Sequence, residues 1–518
     1  MLEVIVFACG ASLMALEFIA ARLLAPTLGS SVFVWGAVIS IVMVALSLGY
    51  WAGGQIADRF GSTRTLAPVI AGAGLFTVLV PRLTDLVLPL VAGLGARTGS
   101  LVASAIVFFA PALLLAMVSP LGVRLAAGDR VDHIGRSAGQ LYAISTAGSI
   151  VGTIATAFWL IPLLSLDGLA VGIGFVLFAA AGFALLLPRR YGDDVPSGAP
   201  APSARLAVLA IATIVAGVVA GAVSLIGPAA AVPGTKAGEE VIYRKDTAYH
   251  RLVVTEDNAE RHLRFDRSHQ SAMYLDDPYE TSFHYPQYLH LALAAKPDAK
   301  RVLIVGLGGG SLVKRMWRDY PQMRIDVAEI DPIVVDVAYR YFELPRDERI
   351  TVTAEDGRRF LAATDTRYDI IVMDAYYADA LPSHLATEEF FREVAAHLTP
   401  DGVVAYNVIG AVDGERSKLF RSMYRTVGLV WPHRWVFPIG IGEDYATETN
   451  RNIIVLATNG LGDRDELLAR IADRVGGTVT VNDYDRFGED LYEGRIETDD
   501  VPVLTDAHAP TDSLIEVN

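Results

Sequence analysis

Two regimes of hydrophobic patterning divide the chain. From residue 1 to about 230, apolar positions run almost without interruption and charges fall mainly between the runs. Stretches of spanning length lie at roughly 2–24, 32–56, 66–80, 100–122, 139–162, 167–187 and 206–228, which predicts about seven membrane helices. The third stretch is short, and the segment after it, Pro81 to about Gly95, carries Arg82 and Asp85 and reads as an interfacial piece. Phe7–Ala20 is so well continued by later spans that it reads as the first of them rather than as a signal peptide alone. Beyond about residue 239 the pattern becomes that of a globular domain. Tyr249–Glu256 alternates, Asn258 turns, and His262–Asp266 alternates back, which predicts a small β unit over 239–295.

From residue 296 to 518 short apolar runs alternate with helical patterns, the signature of a parallel α/β sheet. Arg301–Val305 runs straight into Gly306-Leu307-Gly308-Gly309-Gly310-Ser311, and a helical pattern follows from Leu312 to Tyr320. That sequence describes a buried strand, a tight glycine turn and a helix start. Three more strands end in acids: Ile325–Asp331, Ile350–Gly357 and Tyr368–Asp374. A helix over Glu388–Leu398, a fifth strand over Gly402–Asn407, a late strand over Arg451–Thr458 and a helix over Asp463–Val475 complete the pattern. The predicted fold is a multi-pass α-helical membrane domain (1–230) followed by an α/β Rossmann-like, methyltransferase-type domain (296–518), with the small β unit between them. Pro/Gly/Ser-rich stretches at Tyr191–Ala204 and Pro228–Gly238 read as a loop and a linker.

Composition sharpens this picture in three places. Apolar residues make up 52% of the 518 and the mean hydropathy is +0.38, high for a soluble protein and concentrated in the first half. The formal net charge of −15, carried mostly by the second half, argues against a nucleic-acid partner. It suits a cationic small substrate, and it equally suits an ordinary solvated acidic surface. The single cysteine, Cys9, excludes a disulfide framework. Arginines mark alternate loops (Arg59 and Arg64; Arg124, Arg130 and Arg136; Arg189, Arg190 and Arg205), which puts the N-terminus in the cytoplasm. Seven spans would then put the second half outside, whereas a cytoplasmic nucleotide supply asks for it inside, so the side stays open. Glu17 and Arg22 lie in the first span, where they either pair with each other or face a polar cavity. Four Gly-xxx-Gly spacings, starting at Gly49, Gly148, Gly168 and Gly217, suit close helix packing.

The candidate chemistry sits at the strand tips. Gly306, Gly308 and Gly310 let backbone N–H groups approach a ligand, with a helix N-terminus behind them. Glu329 and Asp331, about 20 residues on, are placed to accept ribose hydroxyls. Asp356-Gly357 and Asp374 end the third and fourth strands. Each acid also has a plain structural reading: Glu329 as a helix-start acid, Asp356 as a turn residue, Asp374 as a cap. His284 and His290 lack a ligand set for a metal, so no metal site is expected.

These residues resemble the polyamine aminopropyltransferase (spermidine synthase) family, and the whole chain resembles its membrane-fused bacterial branch, in which the first span carries a similar Glu and Arg. The match covers the region from about 240 to 410. The resemblance implies that Gln270, in Asp266-x-x-x-Gln270, contacts the nucleoside. It further implies that Glu329 binds the ribose, that Asp356-Gly357 meets the adenine edge, and that Asp374 is the catalytic carboxylate. Thr387-Glu388-Glu389-Phe390 keeps that register without a gap. The ligands implied are decarboxylated S-adenosylmethionine, or S-adenosylmethionine itself, and a small amine, with the bilayer as a further partner, no nucleic acid and a homodimer. His284, Tyr377 and Asp379 are the implied amine-side residues, with Asp506 a further anionic candidate; each has an alternative as a packing residue or a solvated charge.

Three positions depart from the family. Gly309 replaces the Asp of its Gly-Gly-Gly-Asp-Gly-Gly loop, Tyr377 replaces the second Asp of Asp-x-x-Asp-Pro, and Phe283-His284-Tyr285 only echoes Tyr-His-Glu. The nucleoside half of the pattern is matched and the amine half is not; the resemblance implies aminopropyl transfer to a di- or polyamine at the cell membrane. The alternatives are methyl transfer from S-adenosylmethionine on the same sheet and, in another class, a transporter or nucleoside sensor.

Overall fold

The structure is a computed structural model that describes the chain except for residues 29–31, 60–62, 128–133, 187–201, 227–237, 267, 377–380, 445, 474–480 and 516–518. It falls into two compact units, Met1–Pro233 with Lys245–Ala248, and Gly234–Arg244 with Tyr249–Val517.

The first unit is a bundle of long helices: Leu2–Leu28, Val32–Arg59, Thr63–Val91, Gly95–Ala127, Ile134–Ala155, Leu166–Leu185 and Pro202–Ile226. Among the described residues, six of these are long and apolar enough to cross a membrane, and the last contributes a shorter apolar stretch, Arg205–Gly221. The predicted short third span and interfacial segment are one continuous helix. It runs through Pro68, Pro81 and Pro89, with Arg82 and Asp85 paired one turn apart at 4.0 Å. A proline opens one backbone hydrogen bond, and packing against neighbouring helices tolerates the gap where lipid-facing loops would not be tolerated. The Gly148 and Gly152 spacing has a visible cause: a Cβ at these positions would lie 2.2 Å from the Phe7 carbonyl oxygen and 2.3 Å from that of Ala11. The two backbones touch there, as small-residue membrane contacts do. Gly49 and Gly53 play the same part against Gly95–Ala127; Gly217 and Gly221 instead make room for the rings of Phe178 and Phe175, and nothing lies within 4 Å of the Cβ position at Gly172. Arg22 donates to the carbonyls of Thr247 (2.7 Å) and Ala248 (2.6 Å).

The second unit holds two sheets. Strands β1 (Glu240–Asp246), β2 (Arg251–Glu256), β3 (Glu260–Phe265) and β4 (Ser268–Tyr274) form an antiparallel sheet in sequence order. Strands β5 (Arg301–Val305), β6 (Arg324–Glu329), β7 (Ile350–Ala354), β8 (Tyr368–Met373), β9 (Leu398–Gly410), β10 (His433–Pro438) and β11 (Arg451–Thr458) form a second sheet. Its order is β10-β11-β9-β8-β5-β6-β7. From β9 to β7 neighbours are parallel; β11 and β10 are antiparallel. Buried parallel strands must be apolar on both faces, and Val302, Leu303, Ile304, Ile370, Ile371 and Val372 are all buried. Progress from β5 to β7 runs one way along the sheet and progress from β8 to β9 the other. The chain therefore switches direction between β5 and β8, where such sheets open a crevice at their carboxyl ends. The small sheet packs Leu252, Val254, Leu263, Phe265 and Met273 against Val334, Val337 and Phe342 of the helix Pro332–Tyr341 and its end.

Candidate active site

A cavity of about 450 Å³ opens at that switch point, lined by Gln270, His284, Gly306, Gly308, Glu329, Asp356, Gly357 and Asp374 among others. One small-molecule site of ordinary size thus gathers most of the residues expected from sequence. The glycine turn is shaped by its neighbours. Gly306 has φ +97°, and a Cβ there would lie 2.2 Å from the carbonyl oxygen of Asp374, whose N–H bonds Val305 O at 2.9 Å. A side chain would push the two strand tips apart. Strand β4 clamps the turn from above, because Ser271 Oγ accepts from Gly309 N at 2.8 Å and Ser311 Oγ donates to Ala272 O at 3.3 Å.

Glu329, at the tip of β6, is buried and accepts from Leu307 N and from its near neighbour Asp331 N, both at 2.9 Å. Burial pushes its carboxyl up to about 7, opposed by these backbone N–H bonds. Asp331 turns away from the cavity and caps the next helix by accepting from Ile333 N at 2.9 Å. Gly310 sits in the left-handed region (φ +75°) as the N-cap of Ser311–Asp319 and is outside the lining. Asp356 lines the cavity but already serves three partners. Its Oδ1 accepts from Arg358 N and Arg359 N at 3.0 and 3.1 Å, and its Oδ2 pairs with His384 Nε2 at 2.8 Å. The His384 bond is the chief reason its carboxyl lies below the usual range.

Asp374, on the tip of β8, reaches the cavity from a partly buried position. Asn407 Nδ2 donates to its Oδ1 at 2.8 Å, and Tyr285 hydrogen-bonds it as well. Burial pushes the carboxyl up to about 7, while both hydrogen bonds pull it down. Asn407 is buried on β9, and its Oδ1 accepts from Asn452 Nδ2 at 3.0 Å. Tyr376 OH donates to Asn407 O and accepts from Ile409 N, each at 3.0 Å. A carboxylate with a near-neutral pKa, held by two donors at the edge of a cavity, suits taking up a proton.

Of the remaining expected residues, His284 is exposed on the rim, and Tyr377 and Asp379 fall outside the described residues. Asp506 lies elsewhere, bound by both Arg358 nitrogens at 2.7 Å and by Thr387 Oγ1 at 2.7 Å. At Gly309, a Cβ would lie 2.9 Å from the Phe342 ring and 3.0 Å from Ser271 Cβ, so there is little room for a side chain at that position. Tyr285, Asn407, Asn452 and Ser271 join the expected residues only in the folded structure. Two of them had a visible signal: Asn407 is the polar residue at the end of a buried run, and Ser271 follows Gln270. Asn452 had none, because β9 and β11 meet only in the folded sheet.

Residues 283–414 match the model of the spermine/spermidine synthase domain. A probable polyamine aminopropyl transferase of Bifidobacterium longum is 40% identical over 133 residues, covering 25% of this chain and 29% of that protein. The polyamine aminopropyltransferase of Vibrio vulnificus is 32% identical over 200 residues, covering 36% of this chain and 64% of the other. The chain thus spans less than two thirds of the length of these relatives. A solved structure of a probable spermidine synthase from Corynebacterium glutamicum aligns with 18% identity and a TM-score of 0.39, covering 51% of this chain and all of that one.

Proposed function

We propose that the chain is a membrane-bound aminopropyltransferase that moves an aminopropyl group from decarboxylated S-adenosylmethionine to a di- or polyamine such as putrescine. The observation that carries this reading is the placement of Asp374. It is a near-neutral carboxylate between Asn407 and Tyr285, in the same cavity as Glu329 and the glycine turn. The match of residues 283–414 to the spermine/spermidine synthase domain supports it. The amine nitrogen attacks the carbon next to the sulfonium, the carbon–sulfur bond breaks, and its electron pair stays on sulfur, releasing methylthioadenosine. An amine is protonated at neutral pH, so Asp374 takes up the nitrogen's proton and aims its lone pair. Glu329 would accept the ribose hydroxyls and the glycine turn would admit the nucleoside closely; holding both reactants in line supplies several kcal/mol of the barrier. Six apolar helices support a multi-pass placement in the cell membrane.

Methyl transfer from S-adenosylmethionine on the same cavity is the second reading, favoured by Gly309. With Phe342 and Ser271 filling the space there, no carboxylate from the glycine turn meets a cationic donor tail. Incubating the full chain in detergent with each donor and a panel of amines separates the two. Methylthioadenosine from the decarboxylated donor supports aminopropyl transfer, and S-adenosylhomocysteine from the other supports methyl transfer. Neither product would refute both.

A further inference from the structure

The polar chain behind Asp374 extends one residue further than proton uptake requires. Asn407 on β9 pairs with Ile454 on β11, and Asn452 pairs with Ile409, so the two asparagines are diagonal neighbours on one face of the sheet. Asn452 Nδ2 donates to Asn407 Oδ1 at 3.0 Å, and Asn407 Nδ2 donates to Asp374 Oδ1 at 2.8 Å. A carboxamide has a donor end and an acceptor end. With its oxygen held by Asn452, Asn407 presents its NH₂ group to the carboxylate. Released, the amide can turn its oxygen toward Asp374, replacing an attraction by a repulsion. The backbone of Asn407 is separately fixed through Tyr376, so what Asn452 controls is the amide's direction rather than the strand's position.

We propose that Asn452 is a positioning residue that acts through Asn407: it sets which way the Asn407 amide points and thereby holds Asp374 in its charged, proton-accepting form. This inference rests on the reading of Asp374 as the proton acceptor. The titratable groups acting directly on Asp374 are Tyr285, from the short helix Tyr285–Tyr288, and Tyr376, just after β8. Along the same cavity lie Glu329 at the tip of β6, Asp356 after β7, Arg451 beside Asn452, and the imidazoles of His250, His269 and His284. Neither asparagine titrates. A changed pH profile in Asn452→Ala therefore reports the surroundings of these groups, not a new titrating residue.

The test is a double-mutant cycle on the full chain in detergent, read as the acid limb of the pH–kcat profile. In Asn452→Ala the limb moves to higher pH by about half to one pH unit, the loss of part of one hydrogen bond to a charged group. The KM for the donor stays unchanged. Asn407→Ala moves the limb at least as far, and adding Asn452→Ala to it moves it no further. Asn452→Asp keeps the side-chain shape but supplies acceptors and a charge of its own; the charge acts in both backgrounds, so the excess of its shift in the wild-type over the Asn407→Ala background is the part carried through the amide. This comparison stands if the alanine variant does not fold. The same titrations are read in the pH dependence of S-adenosylmethionine binding by calorimetry, which needs no turnover. A wild type without aminopropyl turnover thus counts against the proposed reaction, while the binding cycle still decides the relay. An unmoved limb in Asn452→Ala, or equal shifts in both backgrounds, overturns the inference.

Discussion

Replacing Asp374 with asparagine changes one atom's chemistry and little of the shape. The new carboxamide oxygen can accept the bonds that Asn407 and Tyr285 now give to the carboxylate. What it cannot do is take a proton. General-base removal typically costs 10²–10⁴-fold in rate, about 3–5.5 kcal/mol of activation free energy. Asp374→Asn should therefore lose at least about a hundredfold in kcat for methylthioadenosine release. Methylthioadenosine affinity by calorimetry should stay within a few-fold, since on the proposed reading the nucleoside is held by Glu329 and the glycine turn and not by Asp374. The wild-type profile supplies a second reading. Burial raises the Asp374 carboxyl to about 7, and the base works only when deprotonated. Activity should therefore rise through about pH 7 and fall tenfold per unit below it. Retained turnover in the variant would remove Asp374 from the chemistry, and turnover that is flat with pH across that range would refute the argument from burial.

Three further outcomes follow from the same geometry. Glu329→Gln keeps one acceptor oxygen but turns the other into a donor that faces either Leu307 N or Asp331 N, so if Glu329 holds the ribose as proposed, methylthioadenosine affinity should drop roughly 10–100-fold by calorimetry, with kcat at saturation changed less. Gly309→Ala places a Cβ 2.9 Å from the Phe342 ring and should cost about 1–3 kcal/mol, read as a lower Tm; an unchanged Tm would mean that the ring moves freely. Gly148→Val drives a branched side chain into the backbone of Phe7, and thermal unfolding in detergent should show a loss of at least about 1–3 kcal/mol, while Gly172→Val, with open space around it, should not.

Much of this molecule is legible in the chain alone, because the relevant physics is local. A run of apolar residues long enough to cross a bilayer becomes a helix wherever it sits, since lipid leaves no other way to satisfy its backbone. Val302–Val305 before a glycine cluster reads as a buried strand and turn, and the acids that follow β6, β7 and β8 read as strand tips. The Gly148 and Gly152 spacing announces a close contact because only hydrogen fits where backbones touch.

The tertiary structure decided everything that depends on partners distant in sequence. Whether Asp331 faces a ligand or caps a helix is a matter of side-chain direction that spacing does not encode. Asp506 carries charge suited to an amine site but spends it on Arg358, 148 residues away. The short third span became part of one long helix because its neighbours supply the packing that Pro81 would otherwise lack. Asp374, Asn407 and Asn452 come from three different strands and form one hydrogen-bonded chain only because β8, β9 and β11 lie side by side. Sequence determines which residues can do chemistry; strand order determines which of them meet, since a hydrogen bond requires about 3 Å of separation and pays no regard to distance along the chain.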